Sequence, residues 1–516
     1  MNNSNAVTYR IALAVTLGGF LFGFDASVIS GVIGYVTPQF NLTDIQQGWV
    51  VSSPTFAAMF AMLTSGPLSD RIGRRRVLIF AALLYAISAL FSAIAPGYEV
   101  LVIARMVGGL AFGAALVLAP LYIGEIAPAE LRGKLVSIQQ LNIVIGFSAS
   151  YFSNYFILQY INDPSSAITE ATGWRWMLGV ELVPALLYFL LLFWVPRSPR
   201  WLMMKGRIEE AKTVLGKIFS ADRLQEEFGR MRENYQETQT KPKAVIGILF
   251  SREFRLIAML GLVLAVVQQI TGINSILFYA ATIFEQSGVG KNAAFMQAIW
   301  VGLVQVVFTV VTMLMIDRVG RKPLMQTGLA GIAVSMILVA AGFWNATYQL
   351  TSEQAEAIGL SEYQDRLAMV SGVTYSSDLS FKNDLRLLLG EETFNTYESQ
   401  IMEQATDMNA VLILVGILGF MASFSLSVGP VMWVLFSEIF PNRAKGIALA
   451  AFGFLNSFTS WVVQFIFPWE LNNLGNATTY LIFGVFAIVG FVILGRYLPE
   501  TKNKNLEDLE RELIRA

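Results

Sequence analysis

The chain has 516 residues, of which 55% are hydrophobic and 14% are charged, with a formal net charge of −1. Soluble domains average about 25% charged residues, so this composition, with a mean hydropathy of +0.57, indicates an integral membrane protein. The chain has no cysteine and no histidine, which excludes disulfides, thiolate chemistry, and the commonest general base and metal ligand. It has neither a phosphate-binding loop nor a basic tract, so ATP-driven pumping and nucleic-acid binding are unsupported, and we expect no cofactor.

Twelve apolar runs are long enough to cross a bilayer. The first six are predicted at about 10–36, 47–68, 76–96, 99–124, 136–158 and 175–196, and the second six at about 254–285, 293–315, 323–344, 408–437, 446–468 and 477–497. Lys and Arg gather between spans 2 and 3 and between spans 8 and 9, whereas the segments 36–47 and 159–174 contain none. By the positive-inside rule, both termini and the segment 197–253 are predicted to be cytoplasmic.

Asp25 is the only acidic residue of span 1 and lies near its middle. A lone carboxylate at that depth must be neutralised, paired or facing water. Burial of a carboxyl group favours its protonated form, and a nearby cation favours its ionised form. A carboxyl group that is subject to both effects is suited to carrying a proton. The alternative is a static ion pair that only ties two helices together.

Span 7 contains the polar run Gln268-Gln269-Ile270-Thr271-Gly272-Ile273-Asn274-Ser275. Amides are costly in hydrocarbon unless they face protein or a water-filled cavity. On a straight helix Gln269 and Asn274 fall about 140° apart, but an unwound turn at Gly272 would let both face inward, as in the broken helices of transporters. We predict a binding site for a ligand rich in hydroxyl groups. The alternative is that the amides only hydrogen-bond neighbouring helices.

The two halves of the chain repeat one another. The segment 70–75 returns at 317–322 with an offset of 247, and Gly23-Phe24-Asp25 returns as Gly272-Ile273-Asn274 with an offset of 249. Glu125-Ile126-Ala127-Pro128 returns as Glu438-Ile439-Phe440-Pro441 with an offset of 313. The offset grows because the second half has extra chain between spans 9 and 10. We predict an N-terminal half at 1–196, a cytoplasmic helical linker at 197–253, a C-terminal half at 254–498 with an acidic extracellular insert at 345–407 containing short helices, and a cytoplasmic tail at 499–516.

Several motifs follow one another along the chain. They are Asp70-Arg71-Ile72-Gly73-Arg74-Arg75 with its second-half copy, Pro196-Arg197-Ser198-Pro199-Arg200-Trp201-Leu202, the stretch Gln268–Asn274, Gly429-Pro430-Val431-Met432-Trp433, and Pro499-Glu500-Thr501-Lys502. Together they resemble the sugar porter branch of the major facilitator superfamily, nearest to bacterial proton-coupled sugar symporters of the xylose type and related facilitative glucose transporters. The resemblance covers almost the whole chain. It implies an all-α membrane protein with twelve transmembrane helices in two pseudo-symmetric six-helix halves.

The resemblance also implies the roles of particular residues. Sugar contacts are implied for Gln140, Gln268, Gln269, Asn274, Trp433 and Asn456, with Phe22 as an apolar wall. Proton coupling is implied for Asp25, with Arg105 as its partner and Glu181 as an assisting group. Glu181 could instead hold Arg132 or Arg443, and Trp433 could be ordinary interior packing. A cytoplasmic latch of charges that stabilises the outward-facing state is implied for Asp70, Arg71, Arg74, Glu125, Arg132, Asp317, Arg318, Arg321, Glu438 and Arg443.

Four positions depart from the family pattern. Ser457 stands where many relatives have a second Trp, Phe278 replaces a frequent Tyr, and Gln305 replaces a frequent Asn. These three reshape the predicted pocket and leave the identity of the sugar open. Arg197 replaces the usual Glu of the motif after span 6, next to the latch.

We therefore predict a monomeric transporter in the bacterial inner membrane that imports a hexose or pentose by alternating access with proton symport. The first alternative is a uniporter of the same fold in which Asp25 and Arg105 are structural, and sodium coupling stays open. A sugar receptor that signals without transport is disfavoured by the short tail after Leu498. An enzyme is least favoured, because His, Cys and paired carboxylates in a plausible cleft are missing.

Overall fold

The structure, a computed structural model, describes residues 3–219, 223–231, 254–440 and 445–504, together with residues 247 and 251. Within these ranges, eleven of the predicted spans form helical segments long and apolar enough to cross a membrane. The remaining predicted span, the second, also forms a helix, Asp44–Ile72, but it contains Pro54 and Pro67 and several Ser, Thr and Gln residues. Every predicted span is therefore helical, as expected where hydrocarbon offers the backbone no other hydrogen-bond partner.

The described part of the first half and of the linker forms nine helices with firm bounds. They are α1 (Asn3–Gln39), α2 (Asp44–Ile72), α3 (Arg74–Ala93), α4 (Tyr98–Ile126), α5 (Ala129–Asn162), α6 (Glu170–Gly179), α7 (Leu182–Leu192), α8 (Pro199–Met204) and α9 (Ile208–Ile218). Span 6 is thus divided into α6 and α7. The linker is helical in α8, α9 and 223–231, and most of its remainder lies outside the described residues.

The second half has the same plan with an addition between spans 9 and 10. Its helices are α10 (Arg255–Ile270), α11 (Ile273–Phe278), α12 (Ala280–Glu285), α13 (Lys291–Val319), α14 (Arg321–Trp344), α15 (Ser352–Ala357), α16 (Gln364–Leu367), α17 (Asp378–Leu389), α18 (Glu391–Ala405), α19 (Ala410–Leu426), α20 (Val428–Ile439), α21 (Lys445–Asn473) and α22 (Asn476–Tyr497). Spans 7 and 10 are broken into shorter helices, whereas spans 8, 9, 11 and 12 are single.

Contacts divide the chain into two compact units that interleave along the sequence. The first comprises 1–25, 53–147 and 178–245, and the second comprises 26–52, 148–177 and 246–516. The core of the first unit is built from aromatic and small side chains, among them Tyr85, Phe112, Tyr122 and Tyr188. In the second unit, α2 and α5 contact the second half directly. The Tyr151 hydroxyl donates to the carbonyl of Leu277 at 2.5 Å, and the rings of Trp49 and Phe465 pack edge to face at 5.9 Å.

The insert at 345–407 contains the predicted short helices, α15 to α18, around a hydrophobic core of its own. Buried members of this core are Tyr348, Phe381, Leu385, Phe394 and Ile401. The two ends of the insert are joined by a short antiparallel sheet, because β1 (Thr347–Tyr348) pairs with β2 (Thr406–Asp407). The insert is therefore a small helical domain closed at its base.

A buried ion pair fastens the insert to the end of α12. The ammonium of Lys382, which is 2% exposed, lies 3.0 Å from Oε1 of Glu398 and donates to Oε1 of Gln286 at 2.6 Å. The Gln286 amide in turn donates to Glu398 at 3.1 Å. Burial alone would raise the pKa of Glu398, but the charge of Lys382 and the hydrogen bonds from Lys382 and Gln286 hold this pKa below its ordinary value.

We predict that Lys382→Met destabilises the protein by about 2 kcal/mol near neutral pH, less than a fully buried pair because the Glu398 side chain is 26% exposed. A lowered folded-state pKa stabilises the fold above the unfolded pKa, and this stabilisation is lost as the pH falls through the folded value. As the pH falls from about 5 through the folded-state value, wild type should therefore lose more thermal stability than Lys382→Met. Arg366→Met, an exposed change in the same insert, is the control. Equal losses in wild type and Lys382→Met would contradict the prediction.

Candidate functional site

The predicted break in span 7 is confirmed at Gly272. Helix α10 ends at Ile270, α11 begins at Ile273, and Gly272 between them has a φ of +90°. A Cβ atom at Gly272 would lie 2.4 Å from the ring of Phe483, so both the backbone and the packing require glycine. The break brings together amides that a straight helix would separate, because Asn274 Nδ2 donates to Gln269 Oε1 at 2.9 Å.

Four side-chain amides form one hydrogen-bonded group, the amide cluster: Gln268, Gln269, Asn274 and Asn456. Gln269 Nε2 donates to Gln268 Oε1 and to Asn456 Oδ1, both at 3.2 Å. Asn456 Nδ2 closes the ring by donating to Gln268 Oε1 at 2.7 Å. Gln268 also donates to the carbonyl of Gly429, near the break in span 10, at 3.1 Å. The structure therefore brings the polar residues of spans 7 and 11 together beside two interrupted helices.

Two further residues of α21 extend the amide cluster, and neither was predicted from the sequence. The hydroxyl of Ser460 accepts from Asn274 Nδ2 and from Gln464 Nε2, each at 2.6 Å. Asn456, Ser460 and Gln464 follow one another at intervals of four residues, which places them on one face of a helix. This spacing is the signal that could have identified them.

Trp433 is 47% exposed, and its ring meets that of Phe436 edge to face at 5.9 Å. Phe278 is buried, and Ser457 is partly exposed. Gln305 in α13 is also buried, and its Oε1 atom accepts no hydrogen bond from the residues that the structure describes. Contact of these side chains with a sugar stays a prediction.

Gln140 and Phe22 belong to the first compact unit. The Phe22 ring packs against those of Phe112, at 4.8 Å, and Phe147, at 6.0 Å. Gln140 is partly buried on α5, next to Gln139, whose amide donates to a backbone carbonyl of α4. That Gln140 and Phe22 line one cavity with the amide cluster stays a prediction.

Asp25 and Arg105 form a buried ion pair inside the first unit. Arg105 NH1 lies 3.4 Å from Asp25 Oδ1, and the two residues are 1% and 2% exposed, respectively. Such a pair is held in low dielectric, so removing either charge leaves the other without compensation. The structure therefore places the only acid of span 1 against a cation of span 4.

Glu181 lies at the interruption between α6 and α7 and is buried. Arg132 is exposed on α5, and Arg443 lies outside the described residues. Asp25 Oδ2 and Glu181 Oε1 are buried without a donor from the described part of the chain. Asp25, Glu181 and Arg105, the triad, are thus all buried within the first unit.

The predicted latch residues form the same arrangement in each half. In the first half, Arg74 Nε donates to Glu125 Oε1 at 3.1 Å, and Arg74 also pairs with Asp70 at 2.7 Å. The hydroxyl of Ser198, from the motif after span 6, donates to the other oxygen of Glu125. An arginine that opens one span therefore holds a glutamate that closes the next.

In the second half, Arg321 Nε donates to Glu438 Oε1 at 3.2 Å and Arg321 pairs with Asp317 at 3.2 Å. The hydroxyl of Thr501, from the motif after span 12, donates to Glu438 Oε2 at 2.6 Å. Thr501 thus does in this half what Ser198 does in the first. The other predicted latch residues within the described ranges, Arg71, Arg132 and Arg318, are exposed.

The chain matches the family described as "Sugar (and other) transporter" over residues 11–361 and 393–513. It is 36% identical to the arabinose-proton symporter of Bacillus subtilis over 518 residues, which covers 100% of this chain and 97% of that protein. It is 31% identical to the D-xylose-proton symporter of Escherichia coli, over 98% of this chain and 96% of that one.

Solved structures of the xylose transporter XylE from E. coli share the fold. An inward open conformation matches with a TM-score of 0.75 and 29% identity, covering 98% of this chain and 99% of that one. A partially occluded inward open conformation matches with a TM-score of 0.73 and 30% identity, covering 96% and 99%.

Proposed function

The chain belongs to the sugar porter family of the major facilitator superfamily, and on that premise we propose that it imports a monosaccharide, a pentose or hexose, together with a proton. The observation that carries this proposal is the amide cluster beside the breaks in spans 7 and 10. The relatives named as arabinose and xylose symporters with protons support both the substrate class and the coupling ion. Labelled pentoses and hexoses offered to proteoliposomes, with and without an imposed pH gradient, test it.

The chemistry of the amide cluster suits a sugar. Each amide both donates and accepts, so a pair of amides can match the hydroxyls of neighbouring sugar carbons. In the structure the amides donate hydrogen bonds to one another, as Asn274 does to Gln269. A sugar hydroxyl can exchange for such a bond at little net cost in hydrogen bonding. In this proposal Trp433 and Phe22 offer apolar surfaces to the C–H faces of the ring, and Gln140 contributes a further amide.

We predict that Gln269→Ala weakens sugar binding by about tenfold or more, because the hydroxyls that it contacts lose partners worth about 1–3 kcal/mol. The measurement is equilibrium binding by the purified protein. Gln326→Ala removes an amide that donates to a backbone carbonyl of α22 and serves as the matched control. Unchanged affinity in a folded Gln269→Ala protein would refute the assignment.

We propose Asp25 as the proton carrier, with Arg105 and Glu181 setting its protonation. When Asp25 is protonated, Arg105 loses its anionic partner, and the triad must re-pair. A change of partners between states is the differential interaction that a coupled switch requires. In the uniporter alternative, the same three residues only hold α1, α4 and the interruption in span 6 together and carry no proton.

We predict that Asp25→Asn abolishes uphill sugar accumulation driven by a pH gradient but leaves exchange down a sugar gradient largely intact. The reason is that an amide can replace the carboxyl in size but cannot release a proton. Transport by proteoliposomes under both conditions is the measurement, and Asp365→Asn, an exposed acid of the insert, is the control. If Asp25→Asn still concentrates sugar, Asp25 is not the carrier. If wild type never does so, the uniporter alternative holds.

The family is multi-pass in the membrane, and we propose the bacterial inner membrane as the location, with both termini cytoplasmic and the insert outside. The Arg-rich loops between spans 2 and 3 and between spans 8 and 9 support this orientation. We further propose that the chain functions as a monomer and that the halves divide at 1–196, 197–253 and 254–498. The charges around Arg74 and Arg321 then lie at the cytoplasmic ends and act as the latch.

We predict that Arg74→Gln and Arg321→Gln each shift the protein toward the inward-facing state, because a latch that favours the outward-facing state loses its central cation. Since the chain has no cysteine, a Phe22→Cys change gives a single reporter thiol. Its labelling by a membrane-impermeant reagent from outside should become severalfold slower in both variants. Arg496→Gln, at the end of span 12, is the control. Equal labelling rates in wild type and both variants would contradict the latch.

A further inference from the structure

A cavity of about 210 Å³ lies at the ends of spans 2, 3 and 6 inside the first compact unit. Four arginines line it: Arg74, Arg75, Arg76 and Arg197. Phe193 and Trp201 supply part of its apolar wall. The cavity therefore combines concentrated positive charge with hydrophobic surface, and of its lining residues only Arg74 has a part in the proposed transport mechanism.

The positive charge of this cavity is only partly compensated. Arg74 pairs with Asp70 and Glu125, and Arg197 reaches Glu210 at 3.6 Å. Within the described ranges, Arg75 and Arg76 have no carboxylate within 4.0 Å.

Arg75 instead donates to two carbonyls at the end of α7, those of Leu192, at 3.1 Å, and Phe193. Arg197 lines the same cavity as Arg75, so their positive charges add. Arg197 stands where the family pattern has Glu, so this substitution gives the cavity an added cation in place of the usual acid. The cavity is therefore short of negative charge.

The cavity borders a surface suited to lipid. On α7 and just beyond it, Leu190 is 62% exposed, Phe193 49% and Trp194 85%. Phe80, on α3 next to the cavity-lining Ile79, is 55% exposed. Exposed aliphatic side chains followed by an exposed Trp mark the boundary between hydrocarbon and headgroups. A ligand in the cavity could therefore keep an apolar tail in the bilayer.

We propose that this cavity binds the phosphate of an anionic phospholipid from the cytoplasmic leaflet. Arginine matches phosphate oxygens with paired N–H donors, and basic pockets between transmembrane helices on this side bind such headgroups. The apolar surface beside the cavity favours a lipid over free phosphate, because only the lipid places acyl chains against α3 and α7. Arg76 and Arg197 contact the phosphate, and Arg75 adds charge while holding the end of α7.

The test uses the full-length protein in detergent with phosphatidylglycerol or phosphatidylcholine added, and counts retained lipids by native mass spectrometry. The variant is Arg76→Gln with Arg197→Gln. Arg207→Gln is the matched control, because Arg207 pairs with the same Glu210 but does not line the cavity. We expect wild type and Arg207→Gln to retain one phosphatidylglycerol at least threefold more often than the double variant. Phosphatidylcholine should be retained equally by all three proteins.

Equal retention of phosphatidylglycerol by wild type and the double variant would overturn the proposal. A second arm adds inorganic phosphate at millimolar concentration. If inorganic phosphate itself binds and displaces phosphatidylglycerol, the site takes free phosphate, and the lipid assignment is wrong. Sugar-dependent thermal stabilisation of each variant verifies its fold. If the double variant does not fold, the single Arg76→Gln change, at an exposed residue, gives the same comparison.

Discussion

Hydrocarbon offers no hydrogen-bond partner, and this constraint accounts for the placement of the polar groups within the membrane spans. The backbone satisfies its own hydrogen-bonding groups by forming helices in every predicted span. Where a helix is interrupted, polar side chains lie beside the break: Gln268 donates to the carbonyl of Gly429 in span 10. The amides of spans 7 and 11 meet the same constraint by bonding to one another. In the proposed function, binding and folding thus depend on the same set of hydrogen bonds.

The repeat between the halves preserves side-chain pairs at the ends of the spans and changes them in the middle of the spans. At the ends, Arg74 with Glu125 and Arg321 with Glu438 make nearly identical bonds, completed by Ser198 or Thr501. In the middle, Asp25 and Asn274 hold corresponding positions, yet one is paired with a buried arginine and the other with amides and Ser460. One position can release a proton in the first half and can only share hydrogen bonds in the second.

The sequence predicts spans well because apolar length and polar interruption are local properties. The twelve helical spans, the break at Gly272 and the helical insert were all predictable on this basis. The repeat alone does not show why glycine is required at a given position. Gly23 corresponds to Gly272, but α1 runs unbroken through Gly23, where a Cβ atom would lie 2.0 Å from the carbonyl oxygen of Ile143. Span 1 needs glycine for close helix packing, whereas span 7 needs it for a turn, and only tertiary contacts separate these two uses. Contacts between distant residues, such as Gln268 with Gly429 or Ser460 with Asn274, could likewise not be predicted from local sequence.

The insert has a practical consequence for imaging. Its two ends meet in the pairing of Thr347 with Asp407, and Lys382 fixes it to Gln286 at the end of α12. A second attachment joins Asp378 to both the backbone and the side chain of Asn476, at the start of α22. A domain that is closed at its base and held at two further points cannot swing freely. It therefore keeps a constant shape relative to α12 and α22, and a fixed feature of this kind gives image alignment a reference that a transporter with short loops lacks.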